Sequence, residues 1–455
     1  MRILFINRSY WPDAEATGQL LTELCEQIAT EEEIQVSVIC GQPNVNLEGT
    51  EFKPAGTTQR HGVEIHRVRH TRFDKSKFLG RVVNFITFLI AATWKSLWCR
   101  RPDIIVVETD PPLLCLLGYA VSILRGTKLV CYLQDVYPDI AIELGRLRHN
   151  FFTRVLRYCF LTAYRRADRV VVVGTDMRNW LVNHRVATER VMIIENWVDT
   201  NHIVPVKVDN KFSYRFDLED KFVVMYSGNV GYTQRFDLVL DAAHQLRKNR
   251  AIVFAIIGGG VKRQWLSEQV IERGLPNVRF MNYQKKSHLS QSLSAADLHL
   301  VLLDSKLTQF MLPSKIYSAF ASGTPVLGIG ASETAMQGKF RTSHLPEMID
   351  SNDAGFFVDE KNPLEIAKRI EWLWQNRDEA RQMGRNARLA AVHKYSRDTA
   401  VLQFSNLFRE LMGQPIRTIS PQLAIDGETN LVTIDQESDS SWSAPSNRRN
   451  TSNHA

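Results

Sequence analysis

Ile104-Ile-Val-Val107 and Arg169-Val-Val-Val-Val173 contain unbroken β-branched stretches, apolar at consecutive rather than alternate positions. A strand with apolar side chains on both faces has to be covered on both faces, which is the environment of a parallel sheet flanked by helices. Further strand-like runs at 3–6, 35–40 and 128–133 are separated by helical stretches such as 20–29. The first part of the chain is therefore predicted to be a doubly wound α/β sheet.

A second series begins after Asn196-Trp-Val-Asp199, with strands predicted at 222–226, 253–257, 278–281, 298–303, 325–328 and 355–358, then helices over 364–376 and 378–411. The expected organisation is a first Rossmann-like domain at 1–200, a second at 201–385, a helix at 386–413 returning to the first, and a disordered tail at 414–455. That tail is rich in Ser, Thr, Asn, Pro and charge, without periodicity. A chain of 455 residues exceeds what one hydrophobic core usually organises, and 44% apolar with 23% charged residues suits two globular domains.

The net charge of +7 understates the basicity of the body, because the last 42 residues carry three Arg against five acids and leave the remainder nearer +9. Anionic partners such as nucleotide phosphates or lipid headgroups are favoured. Cys25, Cys40, Cys99, Cys115, Cys131 and Cys159 stand singly, without C-x-x-C or metal-like spacing, and are expected to be reduced thiols. Met1-Arg-Ile-Leu-Phe-Ile6 enters a strand at once and lacks the pattern of a secretory signal, so a cytoplasmic protein is expected.

Function is pointed to by Met225-Tyr-Ser-Gly-Asn-Val-Gly231 and Leu312-Pro-Ser-Lys-Ile-Tyr317, each following an apolar run and preceding a helix. Open α/β sheets present backbone N–H groups to phosphates at such strand ends. Gly258-Gly-Gly260 closes another strand in the same half. No G-x-G-x-x-G follows the first strand and no G-x-x-x-x-G-K-[ST] occurs, which counts against dinucleotide redox chemistry and P-loop hydrolysis.

Lys315 is read either as a cation that neutralises a departing diphosphate or as a solvated lysine. Asp135 and Asp139 flank Val136-Tyr-Pro138 after a predicted strand, where a carboxylate is a general base, an acceptor for sugar hydroxyls, or a helix cap. Asp110-Pro-Pro112 ends another strand at the same edge. Trp11-Pro-Asp-Ala-Glu-Ala-Thr-Gly18 is either a phosphate-facing loop or a plain βα turn.

Two stretches admit a membrane reading beside a core reading. The first, 78–98, is apolar and bracketed by Lys75, Lys77, Arg100 and Arg101; its uncharged part, 82–94, is 13 residues, short of the roughly 20 needed to span a bilayer. The second, 146–169, interleaves seven Arg with aromatics, as interfacial helices do. Nucleic acid is disfavoured, because these basic residues sit among aromatics in apolar helices rather than in a groove-shaped stripe.

In combination and order, over roughly residues 1–410, these segments resemble the retaining glycosyltransferases of family 4, and within it the branch of colanic-acid and capsular-polysaccharide enzymes. The resemblance is carried by Tyr226-Ser-Gly-Asn-Val-Gly231, Phe254-Ala-Ile-Ile-Gly258, Ala296-Asp-Leu-His-Leu300, Leu312-Pro-Ser-Lys-Ile-Tyr317, Gly323-Thr-Pro-Val326 and Glu195-Asn-Trp-Val-Asp199. In the first half Gln134-Asp-Val-Tyr-Pro-Asp139 and Ala16-Thr-Gly18 fit as well.

The resemblance implies a GT-B fold: two facing Rossmann-like, doubly wound domains with a C-terminal helix returning to the first. It further implies a nucleotide sugar, UDP- or GDP-linked, bound by the second domain, a lipid-linked or oligosaccharide acceptor bound by the first, and transfer with retention at the anomeric carbon. No metal or other cofactor is implied, and no D-x-D stands at a suitable place. Asp135 and Lys315 would be the catalytic pair. Gly18, Gly228, Asn229, Gly231, Arg235, Gly259, Tyr283, Pro313, Ser314 and Ser318 would bind the donor, with Tyr283 in the base-contacting loop Asn282-Tyr-Gln-Lys285. Action in surface-polysaccharide synthesis, at the inner face of the plasma membrane, follows from the same likeness.

The family's two glutamates, eight positions apart, are replaced here by Phe310 and Ser318, and its two basic phosphate-binding positions after Gly231 read Tyr232 and Gln234, with Arg235 just beyond. These departures keep a non-catalytic scaffold of the same fold in view. A nucleotide-sugar 2-epimerase would need a cleft cluster of acids and His, and none is evident in the sequence.

Overall fold

The computed structural model describes residues 1–13, 15–43, 52–73, 78–206, 210–336 and 339–417. Ala14 of the first loop, Lys75 and Lys77, linker residues 207–209, and the expected tail from 418 onward lie outside the described residues.

The first half is built on β1 (Arg2–Ile6), β2 (Gln35–Cys40), β3 (Gly56–Arg60), β4 (Val63–Arg67), β5 (Ile104–Val107), β6 (Lys128–Leu133), β7 (Arg169–Val172) and β8 (Val191–Ile193), in sheet order β3-β4-β2-β1-β5-β6-β7-β8. All pairings are parallel except the β3–β4 hairpin, and Phe5 sits between Val38 of β2 and Val106 of β5. The fully apolar strands are the buried ones, as their composition requires. Its helices are α1 (Ala16–Ile28), α2 (Phe78–Trp98), α3 (Leu114–Arg125), α4 (Asp139–Glu143), α5 (Phe151–Arg166) and α6 (Thr175–Asn183).

The second half begins with α7 (Lys211–Arg215) and carries the parallel sheet β11-β10-β9-β12-β13-β16. Its strands are β9 (Phe222–Ser227), β10 (Ile252–Ile257), β11 (Val278–Met281), β12 (Leu298–Leu302), β13 (Val326–Gly330) and β16 (Gly355–Asp359). A separate hairpin pairs β14 (Glu333–Met336) with β15 (Lys339–Thr342). The intervening helices are α8 (Phe236–Leu246), α9 (Arg263–Glu272), α10 (Leu289–Ser294), α11 (Lys315–Ala321) and α12 (His344–Asp350), followed by α13 (Leu364–Gln375), α14 (Arg377–His393) and α15 (Arg397–Leu411).

The expected switch back to the first half at 386 is displaced. Residue 386 lies inside α14, which packs on α11. There Gly384 lets the helix come close, since a Cβ would sit 2.4 Å from the Gly323 carbonyl oxygen. The crossing occurs at 394–397, where Val198 donates to Tyr395 O at 3.0 Å and Arg397 N donates to Val198 O at 3.1 Å. Ser396 caps α15, accepting from Thr399 N. This helix packs on α1 and delivers Phe404 and Phe408 to the first-half core, beside Tyr132 and Phe5. Residues 414–417 continue against it, with Arg417 ion-paired to Glu31 at 3.0 Å, so the expected tail does not begin at 414.

Candidate active site

Three loops at the carboxyl ends of β9, β10 and β11 interlock. Gly228 (φ +142°) and Gly258 (φ +127°) adopt backbone that side chains disfavour, and a Cβ on Gly258 would lie 2.1 Å from the Gly228 carbonyl oxygen. Gly260 approaches Val230 O and Asn229 Oδ1 in the same way. Tyr283, from the loop after β11, lies over Gly259, its ring carbon 3.4 Å from where a Cβ would be and its hydroxyl donating to Gly259 O at 3.4 Å. Gly228, Asn229, Gly259 and Tyr283 thus share one surface, with Asn229 and Tyr283 exposed on it.

Lys315, the first residue of α11, joins that surface at Gly228. A Cβ there would be 2.5 Å from Lys315 Cε, so the glycine makes room for the side chain. The ammonium lies 5.2 Å from the Tyr226 ring centroid, and the Tyr226 hydroxyl is anchored on Asn229 O at 2.7 Å. Among the described residues no carboxylate pairs with Lys315, and burial pulls its pKa down to about 8. A half-buried cation with an aromatic face but no counter-ion is electrostatically prepared for an incoming anion.

Backbone donors contribute less than the sequence pattern suggests. The amides of Gly228 and Val230 donate to Ile257 O and Gly259 O, and that of Gly231 to Gln234 Oε1 at 3.0 Å. Gly231 is buried and shapes the turn behind the surface. Arg235 is ion-paired in this structure: Asp237 holds it at 2.7–3.2 Å and Glu360 at 3.4 Å, and the Asp237 hydrogen bonds raise its pKa. Pro313 is buried, Ser314 is exposed, and Ser318 Oγ donates to Lys315 O at 3.0 Å.

The opposing wall comes from β6. Asp135 is half-buried, forms no hydrogen bond among the described residues, and is pushed up to about 6 by burial and by the nearby Asp110 charge. The next residue fixes its loop to the second half, Val136 N donating to Phe310 O at 3.0 Å. Asp139 has a different fate: both its oxygens accept from Arg157 of α5, so it holds α4 to α5.

Gly18 is buried at the start of α1, where a Cβ would come within 3.1 Å of Ser9 Cβ and 3.3 Å of Tyr10 N. The adjoining side chains are Arg8, bidentate on Asp110 at 3.2 and 2.9 Å and on Glu15 at 2.8 Å, and Ser9, whose hydroxyl lies 2.8 Å from both acids. Among the described residues the acids Asp110 and Glu15 occupy the Arg8 guanidinium here, and Gly18 lets α1 pack closely on the Ser9–Tyr10 backbone.

The two halves of the chain match two family models in succession: "Glycosyltransferase Family 4" over residues 17–202 and "Glycosyl transferases group 1" over residues 209–390. The chain belongs to glycosyltransferase family 4. It is 27% identical over 348 residues to WbjE of Pseudomonas aeruginosa, named as a glycosyltransferase, covering 75% of this chain and 84% of that one. It is 28% identical over 345 residues to WcaI of Escherichia coli K12, named for glycosyl transfer in colanic acid biosynthesis, covering 71% and 82%. Among solved structures it resembles Anabaena HepE in complex with UDP and glucose (TM-score 0.67, 17% identity, 90% and 100% coverage) and sucrose-phosphate synthase of Thermosynechococcus elongatus (0.69, 16%, 91% and 99%). The fold is GT-B.

For a family-4 glycosyltransferase, Phe310 and Ser318 are the informative departures. Phe310 is buried, its ring edge-on to Trp180 of α6 at 6.1 Å, and its carbonyl takes the Val136 amide. A glutamate there would bury a charge in the seam between the halves, so the aromatic suits its setting.

Two groups escape sequence reasoning. His344 of α12 lies 2.7 Å from Glu195 Oε1 through Nε2 and 3.7 Å from Glu347 through Nδ1, while its amide donates to Asp176 of α6. Burial alone would lower its pKa, but the Glu195 and Glu347 contacts raise it to about 9. Glu108, at the end of β5, is buried with both oxygens unpartnered among the described residues and is held well above the usual carboxylate range by burial and Asp110. Partners distant in sequence leave no local pattern; for His344 the one trace is Glu195, the first residue of Glu195-Asn-Trp-Val-Asp199.

Proposed function

We propose that this glycosyltransferase moves a sugar from a nucleotide diphosphate donor to a lipid-linked or oligosaccharide glycan acceptor, retaining the anomeric configuration and using no metal ion. The observation that carries the reading is Lys315: a half-buried ammonium without a counter-ion among the described residues, its side chain packed against Gly228 of the interlocked Gly228 and Gly258–Gly260 loops. Departure of the nucleoside diphosphate builds negative charge, and a fixed cation stabilises that charge more than it stabilises the ground state.

On this reading Tyr283 and Gly259 border the base, and Asn229 and Gly228 line the approach to the diphosphate. Asp135, ionised at neutral pH, receives a hydrogen bond from a sugar hydroxyl in the cleft. Gly231, Arg235, Pro313, Ser314 and Ser318 support this wall from behind or beside it. UDP is the first nucleotide to test, because the HepE structure is a complex with UDP and glucose; GDP is the second. The likeness to WcaI, named for colanic acid biosynthesis, supports work in polysaccharide assembly, and on this reading that work takes place at the inner, cytoplasmic face of the membrane.

A binding-only protein of this fold is the second reading, favoured by Arg235 being tied to Asp237 and Glu360. Titration with UDP-, GDP- and ADP-sugars followed by product analysis with membrane extract separates the two. The transferase reading predicts product from one donor class and a loss of about 100-fold or more in kcat/KM for Lys315→Ala. Tight nucleotide binding without product from any donor establishes the second reading, and normal turnover by Lys315→Ala removes Lys315 from the chemistry.

A further inference from the structure

On the outer face of the first half, α3 packs against both α2 and α5. The inward stripe of α2 is Asn84, Phe88, Ala92 and Ser96, all buried at i, i+4 spacing. Its outward stripe is also apolar: Leu79, Val83, Ile86, Ile90, Trp94 and Trp98 are exposed, the last three at 65%, 67% and 73%. A surface helix ordinarily turns polar residues outward. The apolar surface continues onto α3 through Ile123 and Leu124, and α5 presents Phe151, Phe152 and Tyr158.

The charge on these helices has one sign. No Asp or Glu occurs in α2, α3 or α5. Arg146, Arg148 and Arg154 are exposed around the start of α5, and Arg100 just after α2. Among the described residues no helix is long and apolar enough to cross a membrane.

We propose that the α2–α3–α5 face docks on a bilayer rich in anionic lipid, with α2 lying along the interface. Apolar side chains flanked by arginines match the acyl boundary and the headgroups above it, and indoles such as those of Trp94 and Trp98 favour that level. A second copy fits poorly, because a twofold contact would set three helices that carry arginines and no acids against their own copies. The inference builds on the lipid-linked acceptor of the proposed function, because docking sets the Asp135 wall beside the surface where such an acceptor is anchored. It joins the two through α5, whose Arg157 holds Asp139 four residues beyond Asp135.

The test is co-sedimentation of the full chain with vesicles of phosphatidylcholine alone or mixed equally with phosphatidylglycerol. Wild type should bind the mixed vesicles and lose affinity as salt rises. The combined variant Ile86→Glu, Ile90→Glu, Trp94→Glu should lose roughly tenfold or more in affinity, and Arg148→Glu with Arg154→Glu should flatten the salt dependence. All should unfold at the wild-type temperature, since these side chains are outside the core. Wild type that stays in the supernatant, or an apolar variant that binds like wild type, overturns the proposal. Self-association abolished by the same variant, without vesicle binding, identifies a protein interface instead and also overturns it. Parallel titration and transfer assays with UDP-, GDP- and ADP-sugars keep the two readings apart: vesicle binding without binding or transfer of any of these donors sinks the transferase reading alone.

Discussion

Asp135 and Lys315 face a common pH range from opposite sides. The carboxyl titrates at about 6 and the ammonium at about 8, so the pair is ionised together between those values. If they act as proposed, kcat/KM should rise through pH 6 and fall above pH 8, with Asp135→Asn flattening the acid limb. With donor bound, the diphosphate raises the Lys315 pKa, so the alkaline limb of kcat should lie above that of kcat/KM. Identical alkaline limbs would place Lys315 away from the phosphates. The lysine and its glycine-lined setting were visible in the sequence, because a strand–glycine–helix pattern is local. The occupation of Arg235 was only half legible: Asp237 stands two residues on, but Glu360 arrives from the far end of the same half.

Elements show where local signals suffice. Strands such as β5, apolar on both faces, could be placed from sequence because burial on two sides leaves a continuous run. The β3–β4 hairpin carried no such run: β3 is largely exposed and polar, and its chief mark was the two-residue turn His61-Gly62. The helix expected over 378–411 is two helices, and the break was marked only by Ser396, a capping residue whose role depends on the crossing beside it. The contact between the β9 and β10 loops gives a sharper expectation. Gly258→Ala drives a Cβ into the Gly228 carbonyl, so the variant should lose roughly 2–4 kcal/mol of stability and bind nucleotide more weakly. Chemical denaturation and nucleotide titration check both effects. Wild-type values for both would mean that the loops separate without cost.

Across the whole molecule the halves are fastened by a titratable clamp, the His344 imidazole reaching Glu195 of the opposite half while its backbone amide donates to the Asp176 carboxylate there. Its folded pKa of about 9 exceeds the unfolded value of 6.5, so its stabilisation is complete below pH 6.5 and disappears as pH rises through 9. The shift corresponds to roughly 3 kcal/mol. Thermal unfolding should show wild type losing more stability than His344→Gln between pH 7 and pH 10; parallel curves would deny the clamp.

The chain passes between the halves twice, near 198 and near 396, and the two passages lie side by side, tied through Val198 to Tyr395 and Arg397. Two adjacent crossings restrain one half from twisting freely about the other, as two pins hold a door to a single swing. If the donor wall moves toward Asp135 as the proposed transfer would require, the paired crossings favour a swing over a twist, so that donor binding and closure on the acceptor would be coupled.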